Sequence, residues 1–500
     1  MVETKKPKIL VVGAGIGGIA AAALLARDGF NVTVVEKNEQ PGGRCGRMLI
    51  DGFTFDTGAT LFLMRDLYER LFAELGERLE DYLDLQRVDP TYHLHFSDNS
   101  QLQLTADLPE LQSQLEAIEP GSFVRLLDYL EEGNYHYKQS IPRFVEKDFH
   151  SLFEFINPSN LWLVMRIKAL ISHSRNIARY FKDPRLQMAF TFQDMYMGLS
   201  PYQSPALYSL MQYAELANGL WYPRGGMYSI TEALVNIAKK AGVKIILNAP
   251  VKSILVNGNQ ASGLAMCDGR TLSSDIVIAN ADTGYVYDKL LPPNGHPSIT
   301  ETREYGCSTI MFYWGLDKQY PQLAAHNLFF SGDYRRGFDV IFKDLSMADQ
   351  PNFYIHAPVR LDPTMAPKDY ETLYAAVPVG RISNANHQDW RFMQAKARAF
   401  IVQRLAKIGI TDLEEHIVVE KSFTPKDWQD RYNLPFGSTH GLSHKLTQMA
   451  YLRPAYQHVR YPNLYFVGAS THPGTGIPTV MVSSRLVAKR VHQDWRGVYD

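Results

Sequence analysis

Apolar residues along the chain fall into short runs broken by glycine-rich turns, and the runs alternate between strand-like and helix-like spacing. Lys8-Ile-Leu-Val-Val12 is continuous, β-branched and too short for a helix, so it reads as a strand buried on both faces. The alanine-rich stretch Ile19 to Arg27 predicts a helix stopped at Asp28-Gly29, and Asn31-Val-Thr-Val-Val35 predicts a second strand ending at Glu36. A similar succession closes the chain: Asn463-Leu-Tyr-Phe-Val467 as a strand, a turn dense in glycine and proline, and a helix over Thr479 to Gln493. Between these ends, Tyr228 to Ala241 predicts a helix capped by Gly242. The strand Val243 to Leu247 follows, then a meander from Asn248 through Ser262–Met266 to Leu272–Ala279. Ser308 to Leu316 and Asn352 to His356 read as strands, and His93 and His95 alternate along another. Phe190 to Glu215 reads as two short helices joined by a proline turn, and Phe155 to Lys182 as a basic helix with an apolar face.

Composition narrows the classes open to this chain. Five hundred residues exceed what one core organises, so two or three domains are expected. An apolar fraction of 45% with 21% charged residues excludes a disordered or fibrous chain. A net charge of −1 gives no basic field for nucleic acid. Three scattered cysteines, Cys45, Cys267 and Cys307, suggest neither a metal cluster nor a disulfide framework, and point to a reduced, intracellular setting. The charged start of the chain runs directly into a strand without a signal-peptide core, and no apolar stretch has the length and purity of a membrane span. Aromatics at 12% supply ample material for lining a large apolar cavity.

The first strand leads straight into Gly13-Ala14-Gly15-Ile16-Gly17-Gly18. With the helix, the second strand and the terminal acid in register, this is a complete dinucleotide-binding βαβ unit. Gly13 permits the tight turn, Gly15 lets backbone approach a pyrophosphate, and Gly18 lets helix and strand pack closely. The helix N-terminus offers N–H groups and a positive dipole end to phosphates. Glu36 can accept both hydroxyls of an adenosine ribose, which disfavours a 2′-phosphate and leaves NAD or FAD. Pro41-Gly-Gly43-Arg44 and Asp56-Thr-Gly58-Ala59-Thr60 go beyond what a NAD dehydrogenase requires. They resemble the extended fingerprint of the flavoproteins with two dinucleotide-binding domains, the group of amine oxidases and carotenoid desaturases. The resemblance implies that Arg44 approaches FAD phosphates and that Gly58 and Ala59 lie near the flavin.

The closing turn, Gly468-Ala469-Ser-Thr-His-Pro-Gly-Thr-Gly476-Ile477-Pro478, resembles that of the bacterial- and fungal-type phytoene desaturases, with Ala469 where many flavoproteins place an acid. The likeness extends through Trp221-Tyr-Pro-Arg-Gly-Gly226 and the mid-chain strands, and so spans essentially the whole chain. It implies an α/β fold in which a Rossmann-like FAD-binding domain (1–90, 220–290 and 455–500) is interleaved with an α+β substrate domain (90–220 and 290–455). A helical membrane-facing part is expected near 155–182, where the run Phe155 to Lys182 carries Arg166, Lys168, Arg175, Arg179 and Lys182 without an acid. It adds the Val251 backbone against adenine and Asn280 and Asp282 near the FAD, completing a cofactor set that also includes Lys37. It implies a peripheral membrane enzyme desaturating a long apolar isoprenoid, with quinone or oxygen as electron acceptor. A C30 or hydroxylated carotenoid substrate, or a prenyl-binding chaperone of the same fold, stands as the alternative. Asp194 and Glu215 are the only acids nominated for catalysis. No metal is expected, because His440-Gly-Leu-Ser-His444 lacks the glutamate of a zinc helix and is broken by glycine.

Overall fold

The computed structural model describes residues 7–293, 298–383, 385 and 387–495. The outermost parts of the expected nucleotide domain, 1–6 and 496–500, lie outside the described residues. Lys8–Val12 is the middle of a five-stranded parallel sheet ordered Leu464–Phe466, Ile276–Ala279, Lys8–Val12, Asn31–Val35, Lys244–Ile246. Its strands are apolar on both faces because both faces are covered, as parallel sheets require. Ile9, Val11, Val32, Val34, Ile276 and Ile278 pack under the helices Ile16–Arg27, Tyr228–Lys240 and Ile477–Trp495. Leu10, Val12, Val277 and Leu464 pack against the antiparallel meander Val251–Asn257, Gln260–Met266 and Thr271–Ser273. The strand order reverses between Lys8–Val12 and Ile276–Ala279, so the crevice at their C-terminal ends is where a ligand is expected in an open α/β sheet. Gly13 and Asn280 are the residues that follow those two strands.

The first helix begins at Ile16, three residues before the alanine run, because Gly15 in extended backbone is its N-cap. Every residue from Ile16 to Leu25 is buried, which explains why small residues fill it.

A second sheet has seven strands, ordered Ile417–Phe423, Ser308–Leu316, Glu371–Val379, Phe353–His356, His326–Phe329, Tyr92–His95, Gln101–Leu104. Ser308–Leu316 lies inside it. Ile310, Phe312, Trp314 and Leu316 pack with Ala397, Ile401 and Leu405 of the helix Trp390–Ala406, while Met311 and Tyr313 face the opposite way, against Phe55 and Val359.

Two helical expectations are corrected. Phe155 to Lys182 is not one helix: Pro158–Arg166 is capped by Asn157, the chain reverses at Lys168 (φ 55°), and His173–Ile177 starts anew from the Ser172 cap. Asn157 and Ser172 each accept a bond from a first-turn N–H, so the sequence carries two helix starts where the charge pattern suggested one continuous face. Phe190 to Glu215 is more broken than two helices, with 3₁₀ turns at Phe192–Met197 and Ala206–Ser209, one α turn at Leu210–Gln212 and a π turn at Tyr213–Ala217. Among the described residues no helix is long and apolar enough to cross a membrane.

Candidate functional site

One cavity of about 760 Å³ opens at the crevice and continues beneath the second sheet. Its first arm is walled by glycine. Gly13 has φ 98°, donates its N–H to Val35 O at 2.8 Å and turns the chain into the helix. A Cβ on Gly18 would stand 2.3 Å from Gly13 O, so helix and turn touch as the motif reading expects. The other two glycines have a cause that the motif did not disclose. A Cβ on Gly15 or on Gly17 would come within 2.8 Å of the Asn280 amide, and so would one on Gly468. Asn280, donating to Gly13 O at 3.2 Å, is thus a wedge joining the first turn to the last.

Glu36 is buried and lines the cavity, accepting Ala14 N–H at 2.7 Å and Asn38 N–H at 2.9 Å. Two bonds leave lone pairs on both oxygens for ligand hydroxyls. Lys37 lines the same end and donates to Asp430 O and Asn433 Oδ1 at 2.8 and 2.9 Å. Val251, at the start of the meander, closes it. Gly43 and Arg44 form the middle of the wall; Arg44 is half-buried, donates to Thr439 O at 2.6 Å and has its pKa lowered by desolvation, with Asp282 opposing. Asp282 caps Thr283–Tyr285, accepts from Tyr305 at 2.9 Å and has its own pKa raised by burial. Gly58 packs on the Arg44 carbonyl, where a Cβ would approach to 2.3 Å. The loop it belongs to is held from the second sheet by three phenols: Tyr313 on Thr57 O (2.6 Å), Tyr374 on Gly58 O (2.7 Å) and Tyr354 on Thr60 Oγ1 (3.0 Å).

Gly468, Ala469, Gly476, Ile477 and Pro478 line the cavity from the other side. Two residues that sequence reasoning missed hold this turn. Arg453, buried, donates to Ala469 O, Thr471 O, Leu442 O, Ser443 O and Gln448 O at 2.8–3.1 Å, and burial lowers its pKa to about 10. His444 Nε2 accepts Thr475 N–H at 3.0 Å, and a Cβ on Gly474 would overlap it. His444 therefore supports the turn, and no group of three or more metal-ligating side chains occurs among the described residues.

The second arm is apolar and aromatic, lined by Tyr92, Phe192, Met195, Tyr196, Phe330, Tyr334 and Tyr354. The two nominated acids differ here. Asp194 faces away from the cavity and is engaged by His173 Nδ1 at 2.9 and 3.0 Å, whose Nε2 meets Tyr129 Oη at 2.5 Å. Glu215 is also fully buried, yet it accepts from Tyr196, a cavity phenol, at 2.9 Å, and burial raises its pKa to about 7. Among the described residues four charged side chains line the cavity, Glu36, Lys37, Arg44 and Asp282, and all lie along the glycine-walled arm.

The flavin containing amine oxidoreductase family model matches residues 16–492. A ζ-carotene-forming phytoene desaturase of Myxococcus xanthus is 42% identical over 98% of this chain and 94% of its own. The chain belongs to the phytoene desaturase family of flavin-containing oxidoreductases. A 4,4'-diapophytoene desaturase (4,4'-diaponeurosporene-forming) of Staphylococcus haemolyticus is 36% identical over 97% and 99% of the two chains. The fold is shared with a putrescine oxidase redesigned at its cofactor site, at 16% identity and a TM-score of 0.66 over 98% and 99% of the chains. The phytoene desaturase-family chain is an FAD-dependent oxidoreductase, and its residues fit that cofactor. The glycine-walled arm passes a helix N-terminus whose first N–H groups have no intrahelical partner, with an acid at one end and a half-buried guanidinium midway.

Proposed function

We propose that this enzyme introduces double bonds into a long apolar isoprenoid, with phytoene as substrate and neurosporene- or lycopene-type carotenoids as products. The observation that carries this reading is the partition of charge in the cavity: among the described residues every charged lining side chain belongs to the cofactor arm, leaving the aromatic arm without a charged group to pair with an amine or an acid. Bound FAD would supply a two-electron hydride acceptor, regenerated by a quinone or oxygen. The glycine turns, Glu36 and Arg44 would hold it, with the Val251 backbone at the adenine and Gly58 and Ala59 near the flavin. An allylic hydrocarbon offers no polar handle, so selectivity must come from shape and burial. Tyr92, Phe192, Tyr334 and Tyr354 supply the walls and exclude water from the developing cation on the substrate.

Access to a lipid-dissolved substrate is supported by an exposed apolar patch. Phe153 is 86% exposed, Leu170 68%, Met165 62%, and Leu161 and Trp162 52% each. Arg166, Arg175, Arg179 and Lys182 are exposed beside it, whereas Lys168 is taken up by Glu132 and Asn176. Exposed aliphatic and aromatic groups with neighbouring cations suit an anionic membrane surface.

A C30 substrate is kept as the second reading, since the Staphylococcus relative is a diapophytoene desaturase. Expression in bacteria that accumulate either phytoene or 4,4'-diapophytoene, followed by pigment chromatography, separates the two. Coloured C40 products support the first reading, coloured C30 products alone support the second, and no change in either strain by a flavin-loaded enzyme refutes both.

A further inference from the structure

We infer that Glu215 takes up the proton the substrate loses, through the paired phenols of Tyr196 and Tyr92. This rests on the desaturase reading above and assigns its proton acceptor. Tyr92 and Tyr196 both line the aromatic arm, and their oxygens lie 2.5 Å apart. Tyr196 has one proton and gives it to Glu215 Oε2 at 2.9 Å, so Tyr92 donates to Tyr196 and is the open end of the chain. Glu215 sits in the π turn Tyr213–Ala217, a local widening that recurs at functional sites. Its other oxygen accepts from Gln193 at 3.4 Å, and Gln193 in turn accepts from Gln212 at 2.7 Å. Both neighbours donate to it, so the side chain is set up as an acceptor on both oxygens, although a carboxylate without a cation is costly to bury. Asp194, by contrast, is spent on His173.

The atoms balance as follows. One C–H bond of the substrate breaks with its electron pair, transferred as hydride to the flavin. The adjacent C–H bond leaves its pair behind as the new C=C bond. Its proton goes to the phenol chain while a phenolic proton moves onto Glu215, turning carboxylate into carboxylic acid and leaving both phenols neutral. Reduction of a quinone to quinol, or of oxygen to peroxide, consumes one proton beyond the hydride, and Glu215 returns it. The titratable groups that feel Glu215 are Tyr92, Tyr196 and Tyr354, all held neutral by burial. On the helix Ser122–Ser140, packed against the π turn, His136 bonds Ser209, and Glu132 pairs with Lys168 and Asn176.

The test compares wild type with Glu215→Gln and Tyr196→Phe, flavin-loaded, with phytoene in liposomes and without oxygen. Stopped-flow absorbance follows flavin reduction from pH 5.5 to 8.5. Wild type is expected to speed up with pH around 7, as the carboxylate forms, and both variants to be slower by about 100-fold or more with that inflection gone. Infrared difference spectra of substrate-free enzyme should show carboxyl C=O intensity lost across the same pH range, with one component present in wild type and Tyr196→Phe and missing from Glu215→Gln; Asp56, which burial also raises to about 7, supplies a component common to all three proteins. Folded Glu215→Gln that reduces its flavin within threefold of wild type, with the same pH profile, would overturn the relay alone. Wild type that is inert toward phytoene and diapophytoene while the infrared band is present would overturn the desaturase reading and the relay with it.

Discussion

Two glycine-to-alanine changes in two helices should shift stability in opposite directions. Gly18 lies in the first turn of Ile16–Arg27, and Gly337 lies in Tyr334–Phe342. An added Cβ at Gly337 meets nothing within 4 Å, so Gly337→Ala keeps only the helix-propensity gain of about 1 kcal/mol. At Gly18 the Cβ would stand 2.3 Å from Gly13 O, 3.0 Å from Asn280 Cβ and 3.1 Å from Asn280 Nδ2. Normal separations are ~3.5 Å, so the helix start would have to retreat by about 1 Å from a backbone atom that cannot swing aside. Overpacking of that kind costs about 3 kcal/mol, and subtracting the propensity gain leaves a net loss of about 2 kcal/mol. The displaced turn is also the one that would face the FAD phosphates. Losing about 1.4 kcal/mol of those contacts weakens the cofactor roughly tenfold. Thermal unfolding of apo and flavin-loaded protein, with flavin content after gel filtration, measures both effects. A Gly18→Ala protein that melts at or above wild type and keeps its full flavin would refute the packing argument. Asn280→Ala combined with Gly18→Ala should recover little, because the Gly13 carbonyl remains.

The membrane patch is tested with Phe153→Ser and Trp162→Glu: an aromatic ring of ~200 Å², mostly exposed in solution, contributes up to roughly 3 kcal/mol on burial, so sedimentation with anionic vesicles should fall about tenfold or more for the pair. Undiminished binding would remove the patch from the interface. Arg453→Met strips five carbonyls of a charged donor, each such bond being worth about 1.5–3 kcal/mol before the guanidinium's own desolvation is deducted. The expected outcome is flavin loss at temperatures where circular dichroism still reports a folded chain. Glu215 also links stability to pH: its folded pKa is raised from 4.5 to about 7, so the contribution is intact below 4.5 and is lost as pH rises through 7. Glu215→Gln should therefore lose less stability than wild type between pH 4.5 and 8, the difference approaching about 3 kcal/mol in denaturant titrations. Parallel curves would show that the carboxyl is not strained by its burial.

Much of the glycine-walled arm was legible because its signals are local. A strand, a glycine turn and a helix start are contiguous, and the acid at Glu36 follows directly on the strand beside them. What was not legible depends on residues brought together from far apart. Asn280 forces glycine at Gly15, Gly17 and Gly468, positions that span most of the chain, yet its own neighbours in sequence give no hint of this. Asp56 accepts Met227 and Tyr228 N–H groups at 2.8 and 3.0 Å, capping a helix that begins over 170 positions later, so the absence of a local cap before Tyr228 was uninformative. The basic run Phe155 to Lys182 misled for a related reason. It contains no acid, but Glu132, contributed by the helix Ser122–Ser140, neutralises Lys168, and the Asn157 and Ser172 caps divide the run. Periodicity describes one element at a time, and caps or partners supplied by other elements escape it.

The same reasoning explains why a proton acceptor in such an enzyme is hard to find by searching for an acid in the pocket. A carboxylate facing a hydrocarbon would be desolvated without any compensating bond from the substrate, a cost that a substrate with an amine or hydroxyl donor would offset. Set back behind two phenols, Glu215 keeps a hydrogen bond from Tyr196 in its charged form, and the surface of the aromatic arm stays neutral. The phenols resist ionisation because burial raises them well above their ordinary range, so they pass protons without holding charge. An apolar substrate thus favours a base one hydrogen bond removed from the cavity. That arrangement has no spacing motif, because Tyr92, Tyr196 and Glu215 belong to a strand, a 3₁₀ turn and a π turn that meet only in the folded chain.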